Sequence, residues 1–340
     1  VCDKASQEGT IGRITSAEWH IKGALVSLRG YRDDVPPFRF GLLVEAATMS
    51  RYDIGDVARR AEDDGYDIVL ATDHLGQLAP LPMLLSVADA ASVRIGTLVL
   101  NNDFRHPVVL AHELASIDAL SGGRIEIGMG AGWARGEYDG AAIAFDQPGK
   151  RLARLATSMA IIKQALSEGR VQTPPDSPYG SIQLDDVPCS VQRPHPPVLI
   201  GGGGPRTLAF AAGEAQIVGI DPRALPGGGH VDGDVTEAII DEKVSWIRAA
   251  AGDRFADLEL NVIIFEVDPD YRPGAHHTSI RSEVLSTDDI ARSPHYLLGD
   301  TDAMVDRLIE RRERWGINYL ALKREHMDLL APVIARLAGQ

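Results

Sequence analysis

Cysteine is almost missing from this chain: among 340 residues only Cys2 and Cys189 occur. No CxxC pair and no spaced set of cysteines surrounds them, which argues against a disulfide framework and suits a reducing compartment. Apolar runs are short, and none reaches the roughly 18 residues needed to cross a bilayer. Basic charge is scarce, with 34 Lys+Arg against 48 Asp+Glu and a formal net charge of −14. Nucleic acid and anionic membranes both ask for a basic stripe, so neither partner is expected. The stretch from Val1 to Thr10 has no basic patch followed by an apolar core, so no secretory leader is read there and the expectation is a cytoplasmic protein. Catalytic signatures are missing too. There is no H-E-x-x-H, no Cys/His cluster and no G-x-S-x-G elbow, and the ten histidines are scattered, so no metal is proposed.

What is present is a globular composition, 44% hydrophobic and 24% charged. Residues 1–37 are polar and turn-rich and read as an N-terminal extension to a single domain spanning 38–340. Beyond it, short apolar runs alternate with longer amphipathic ones. The runs Phe40–Val44, Ile68–Ala71, Ile95–Leu100, Ile125–Gly128, Val198–Ile200, Ile217–Ile220, Leu260–Glu266 and Asn318–Leu322 are expected strands. The first four begin roughly 30 residues apart, the length of a strand plus a crossover helix. Helices are expected over 54–64, 82–91, 107–120, 151–166, 206–212, 235–251 and 302–315.

Eight strands buried on both faces and alternating with helices predict a (β/α)8 TIM barrel, with insertions after strands 4, 6 and 7. A doubly wound open sheet is weakened because Val44-Glu45-Ala46-Ala47-Thr48, not G-x-G-x-x-G, follows the first strand.

In a barrel, chemistry gathers where strands end. Asp73-His74 follows strand two, and its imidazole can donate a proton or steady negative charge; the alternative is a capping Asp beside a structural His. Asn101 and Asn102 follow strand three and can bond the edge of a planar heterocycle, although turn chemistry explains them better. Gly128-Met129-Gly130-Ala131-Gly132-Trp133-Ala134-Arg135 follows strand four. Its alternating glycines strip one face of side chains, which suits a flat ligand somewhat better than close packing at a barrel corner. Gly201-Gly202-Gly203-Gly204-Pro205-Arg206 runs from strand five into a helix. Free amides at a helix start with an arginine beside them form a phosphate cradle, the strongest single signal. No Gly-Lys-Ser/Thr follows, so nucleoside triphosphate hydrolysis is not implied. Glu45, ending strand one, reads equally well as a substrate anchor and as a solvated carboxylate.

Taken in order, Phe38-Arg39-Phe40-Gly41, Ala71-Thr72-Asp73-His74, Arg105-His106-Pro107, Leu120-Ser121-Gly122-Gly123-Arg124, the Gly128–Trp133 run and Ile200–Pro205 resemble the luciferase-like monooxygenase superfamily, specifically its deazaflavin-dependent oxidoreductases. The resemblance spans Phe38 to Leu322. It implies a barrel, often a homodimer, binding coenzyme F420 or, alternatively, FMN at the strand ends. By that likeness His74 is catalytic and Asp73 a cofactor ligand. Leu98-Val99 matches a strand-three bulge beneath the ring, where a non-proline cis peptide is common. Ala131, Gly132 and Trp133 border the cofactor, and Gly202, Gly203, Gly204, Arg206 and Arg135 face its phosphate. The expected activity is hydride transfer between F420 and a small organic substrate. Alternatives are monooxygenation by reduced FMN and O2, and a noncatalytic barrel that binds a flavin or metabolite. No basic cluster for a sugar phosphate is evident between Asp221 and Asp234.

Overall fold

The computed structural model describes residues 36–271 and 285–340. The extension read over 1–37 thus lies outside the described residues except for its last two. The barrel strands are β1 (Arg39–Val44), β2 (Ile68–Ala71), β3 (Arg94–Thr97) with β4 (Leu100–Asn101), β5 (Ile125–Gly130), β8 (Val198–Gly202), β9 (Ile217–Ile220), β10 (Glu259–Ile264) and β13 (Ile317–Lys323). Two further pairs complete the set: β6 (Arg170–Thr173) with β7 (Ile182–Asp185), and β11 (Glu266–Asp268) with β12 (Tyr296–Leu298).

Strand order is β3-β2-β1-β13-β10-β9-β8-β5-β4, all parallel, and a further β3–β5 pairing closes the circle. Because β3 and β4 are two halves of one strand interrupted at Leu98-Val99, the barrel has eight staves, as the apolar runs predict. The Leu98–Val99 peptide bond is cis.

Alternation along each strand sorts side chains between two cores. Leu43, Ile68, Leu70 and Tyr319 fill the barrel, while Phe40, Leu42, Val69 and Ile95 face the surrounding helices. Each such burial is worth roughly 1.5–3 kcal/mol against leaving the side chain in water. At the N-terminal end of the staves Arg39 bonds Glu126 and Glu259, Arg94 bonds Glu126 at 2.8 Å, and Arg39 sits 4.5 Å from the Tyr319 ring centre. This charged plug fills the bottom of the barrel.

The helices are α1 (Arg51–Asp63), α2 (Pro80–Ala90), α3 (Pro107–Leu120), α4 (Arg135–Gly140), α5 (Pro148–Glu168), α6 (Pro205–Glu214), α7 (Glu237–Ala251), α8 (Thr287–Arg292), α9 (Thr301–Trp315) and α10 (Met327–Leu337). Local chemistry sets their ends. Ser50 and Asp53 form a capping box on α1, proline occupies the first turn of α2, α3, α5 and α6, and Asp300 caps α9. Gly122 and Gly123 take positive φ just past α3, as expected of a helix stop.

Three helices, α4, α8 and α10, were not anticipated from periodicity. The β6–β7 hairpin packs outside α5 and α3, with Tyr179 edge-on to His106 at the start of α3 at 5.3 Å, and the chain after it passes below the barrel, where Gln192 donates to the Ile125 carbonyl at 2.8 Å as β5 begins. The run expected as one strand to Glu266 stops at Ile264, and β11 leaves the barrel to pair with β12. Residues 272–284 of the insertion after the seventh stave lie outside the described residues. Among the described residues no helix is long and apolar enough to cross a membrane. Cys2 lies outside them, and Cys189 is not free, so the reading of two isolated thiols lends no support to a reducing compartment.

Candidate active site

A cavity of about 620 Å³ opens at the C-terminal ends of the staves. It gathers residues from every quarter of the circle: Glu45 after β1, His74 after β2, Val99 between β3 and β4, Trp133 after β5, Arg206 after β8 and Asp221 after β9. Of the residues singled out from sequence, Glu45, Asp73, His74, Leu98, Val99, Asn101, Ala131, Gly132, Trp133, Gly202, Gly203, Gly204 and Arg206 line it. Arg135 does not. Its exposed guanidinium turns along α4 to Asp139 at 3.3 Å and lies 5.9 Å from the Phe145 ring centre.

The strand-two pair is split between two tasks. Asp73 is buried, and its carboxylate accepts hydrogen bonds from Nη1 and Nη2 of Arg105, at 2.6 and 3.0 Å, and from the Asn101 backbone N–H at 2.9 Å. It braces the end of β4 against β2. His74 stays at the rim, where Nδ1 lies 2.8 Å from Oε1 of Glu137 on α4. An ionised Glu137 accepts the Nδ1 proton, so Nε2 is the nitrogen left for the cavity. Trp133 meets the His74 ring edge-on at 5.7 Å and packs at 4.4 Å, tilted by 39°, against His230 from the loop after β9. Burial lowers the His230 pKa from its usual value, with the charge on Lys243 adding to the effect.

Asn101 is oriented from behind. Its Oδ1 accepts from the Tyr138 hydroxyl at 2.8 Å and from the Asp103 N–H at 3.1 Å, and its Nδ2 has no partner among the described residues. Desolvation raises the Tyr138 pKa, which keeps the hydroxyl a donor.

The reading of the Gly128–Gly132 run as a stripped face for a flat ligand is corrected by the packing. A Cβ on Gly128 would stand 1.8 Å from the Thr97 carbonyl oxygen, and one on Gly130 would stand 2.6 Å from Val99 Cγ2. At Gly132, where φ is +79°, a Cβ would meet the Tyr138 hydroxyl at 1.9 Å. The protein itself fills the space these glycines vacate: Gly128 and Gly130 make room for Thr97 and Val99, and Gly132 for the Tyr138 hydroxyl, rather than for a ligand. Arg151 holds the following turn by donating to the carbonyls of Ala131 and Gly132, both at 3.2 Å.

The four-glycine run divides likewise. Side chains at Gly202 and Gly203 would strike Thr207 and the 221–223 backbone, whereas a Cβ on Gly204 meets nothing within 4 Å. Gly204 caps α6; Pro205 carries no N–H and Leu208 donates to the Gly204 carbonyl at 2.9 Å, which leaves the amides of Arg206 and Thr207 without a helix partner at the cavity wall. Arg206 is exposed beside them and has no carboxylate partner among the described residues. An anion with three or more acceptor oxygens fits this corner.

Sequence reading missed Glu137, Arg151, His230 and Asp221. The first three reach the site only through the fold. Asp221 directly follows a strand that was recognised, so the strand-end rule applied to every stave would have found it.

Residues 36–226 match the family model described as luciferase-like monooxygenase. The F420-dependent glucose-6-phosphate dehydrogenase of Nakamurella multipartita is 33% identical over 188 residues, which cover 52% of this chain and 54% of that one. The chain thus matches about half the length of such relatives. The fold resembles the coenzyme F420 dependent tetrahydromethanopterin reductase of Methanopyrus kandleri, with TM-score 0.69 and 17% identity over 89% of this chain and 100% of that one. It also resembles a monooxygenase of Streptomyces bottropensis, with TM-score 0.67 and 17% identity over 88% and 99% of the two chains. Matched to the family model over more than half of its length, and folded as such a barrel, the chain belongs to the luciferase-like monooxygenase family.

Proposed function

We propose that the protein is an F420-dependent oxidoreductase that moves a hydride to or from a small organic substrate. The observation that carries this reading is the disposition of the two ends of one cavity. A phosphate corner at Gly204 and Arg206 lies on β8 and α6, and the His74–Glu137 pair beside Trp133 lies across the mouth. A tricyclic cofactor with a phosphate tail spans that arrangement. Gly204 and the amides of Arg206 and Thr207 would hold the phosphate, Asn101 would offer its amide to the ring edge, and the Leu98-Val99 segment would support the ring from below. The deazaflavin ring supplies a carbon that carries hydride and reacts poorly with oxygen. His74 supplies a hydrogen bond through Nε2, steadied by Glu137, and Trp133 shields the reacting region from water. The names of the relatives support F420 over FMN.

A small, largely uncharged substrate fits the remaining wall, where Leu43, Ile263 and Phe265 are apolar. Both cations near Asp234 are already paired with its carboxylate, which argues against a sugar phosphate. Arg223 bonds Asp234 at 2.7 Å and Lys243 does so at 2.7 Å. The reading extends to a cytoplasmic homodimer on the strength of the family resemblance. Anaerobic assays with oxidised and reduced F420 against a panel of alcohols, ketones and alkenes test the activity. Turnover with F420 supports it, whereas oxygen consumption with reduced FMN and none with F420 supports the monooxygenase alternative.

A further inference from the structure

Asp221 opens the loop after β9, and its main chain is fully engaged. The N–H donates to the Gly202 carbonyl at 3.0 Å, and the carbonyl accepts from Lys243 Nζ at 2.7 Å. Lys243, on α7, is wholly buried, and an ammonium group has three hydrogens. The other two go to Oδ2 and the backbone oxygen of Asp234, at 2.7 and 3.0 Å. Arg223 is spent on Asp234 as well. The Asp221 carboxyl is therefore left without a hydrogen-bond donor among the described residues, although two cations stand close by.

Its surroundings are apolar. A Cβ on Gly201 would lie 3.2 Å from Asp221 Oδ2 and 3.4 Å from Val99 Cγ1, which sets the carboxyl beside the cavity floor. The neighbouring stave offers Ile263 and, past its end, Phe265. The charged and titratable groups around it are Lys243 on α7 and Arg223, His230 and Asp234 on its own loop; β4, β8 and β10 present none toward it. Desolvation pushes the carboxyl up to about 6, against the opposing pull of Lys243. In strand order β9 stands diametrically across the barrel from β2, so Asp221 and His74 face the cavity from opposite sides.

We propose that Asp221 is the proton-transfer residue of this cavity, exchanging a proton with the oxygen of a small alcohol or ketone while His74 serves the cofactor. The proposal rests on the redox reading above. In the oxidising direction the substrate O–H bond breaks and its proton passes to the Asp221 carboxylate. The adjacent C–H bond breaks with its electron pair, which leaves as hydride to the oxidised deazaflavin, and C–O becomes C=O. The substrate loses two electrons, the cofactor gains two, and Asp221 returns the proton to water. Ketone reduction is the same step reversed.

Anaerobic F420-dependent oxidation of 2-propanol and cyclohexanol, followed across the pH range on either side of about 6, tests this. In the unaltered protein kcat rises with pH up to about 6 and then levels. Asp221→Asn loses that limb and roughly 100-fold or more of kcat while its affinity for F420 holds. Asp221→Glu recovers part of the rate with a displaced limb. An unchanged limb in Asp221→Asn, or F420 binding with neither probe oxidised, overturns the assignment. Failure of the unaltered protein to bind F420 contradicts the proposed function instead.

Discussion

Nδ1 of His74 and Oε1 of Glu137 lie 2.8 Å apart, joining the end of β2 to the short helix after β5. The carboxylate fixes which imidazole nitrogen carries the proton and holds the ring against Trp133. His74→Ala is expected to leave F420 binding nearly intact and to lower turnover by roughly 100-fold or more. Glu137→Gln should cost less, because a hydrogen bond survives while the carboxylate's hold on the tautomer is lost. Single-turnover kinetics beside a binding titration separates the two effects, and unchanged turnover in His74→Ala removes that residue from the mechanism.

Arg206 is the cation at the corner proposed to hold the cofactor phosphate. A hydrogen bond to a charged group contributes roughly 1.5–3 kcal/mol, so Arg206→Ala should weaken cofactor binding by about tenfold or more. Because the residue is exposed, the loss should shrink as ionic strength rises. Affinity that is the same in both proteins at low salt would place the phosphate elsewhere.

Gly132 combines a left-handed backbone with a hydroxyl at 1.9 Å from the position of any Cβ. Gly132→Ala should cost at least about 2 kcal/mol of stability through strain and displacement of Tyr138. The urea midpoint reads this directly. Gly204→Ala, with open space around its Cβ, should leave the midpoint near its starting value and weaken cofactor binding instead.

His295 is wholly buried, with Nδ1 2.9 Å from the Ile263 carbonyl and its ring stacked on Phe265. Burial pushes its pKa down to about 3. In the unfolded chain the value is near 6.5, so between these values the unfolded state takes up a proton that the folded state refuses. The stability associated with neutral His295 is present above about 6.5 and is lost progressively as pH falls toward 3. Replacing it with Phe removes that dependence. The stability of the unaltered protein relative to His295→Phe should therefore decline between neutral pH and about pH 5, measured by urea unfolding, and a constant difference would contradict the argument.

The strands could be read from the chain because parallel staves are buried on both faces and so appear as continuous apolar runs, as at Ile68–Ala71 and Ile217–Ile220. The last helix, α10, escaped notice because Pro332 sits inside it, a residue that ordinarily argues against a helix interior. Strand-end residues such as His74 and Arg206 could be located by position alone. Their partners could not, since the pairing of His74 with Glu137 and of Asp73 with Arg105 exists only once β2, β4 and α4 are brought together. The glycines misled for a related reason: a missing side chain records that space is needed, not whether Val99 or a ligand takes it.

The central claim is that one cavity holds a deazaflavin at Gly204 and Arg206 beside His74. Parallel titration of the purified protein with oxidised F420 and with FMN, followed by quenching of tryptophan fluorescence, tests it most directly, because Trp133 lines the cavity. Micromolar binding of F420 with much weaker binding of FMN is the predicted result. A preference for FMN, or binding of neither, would contradict it.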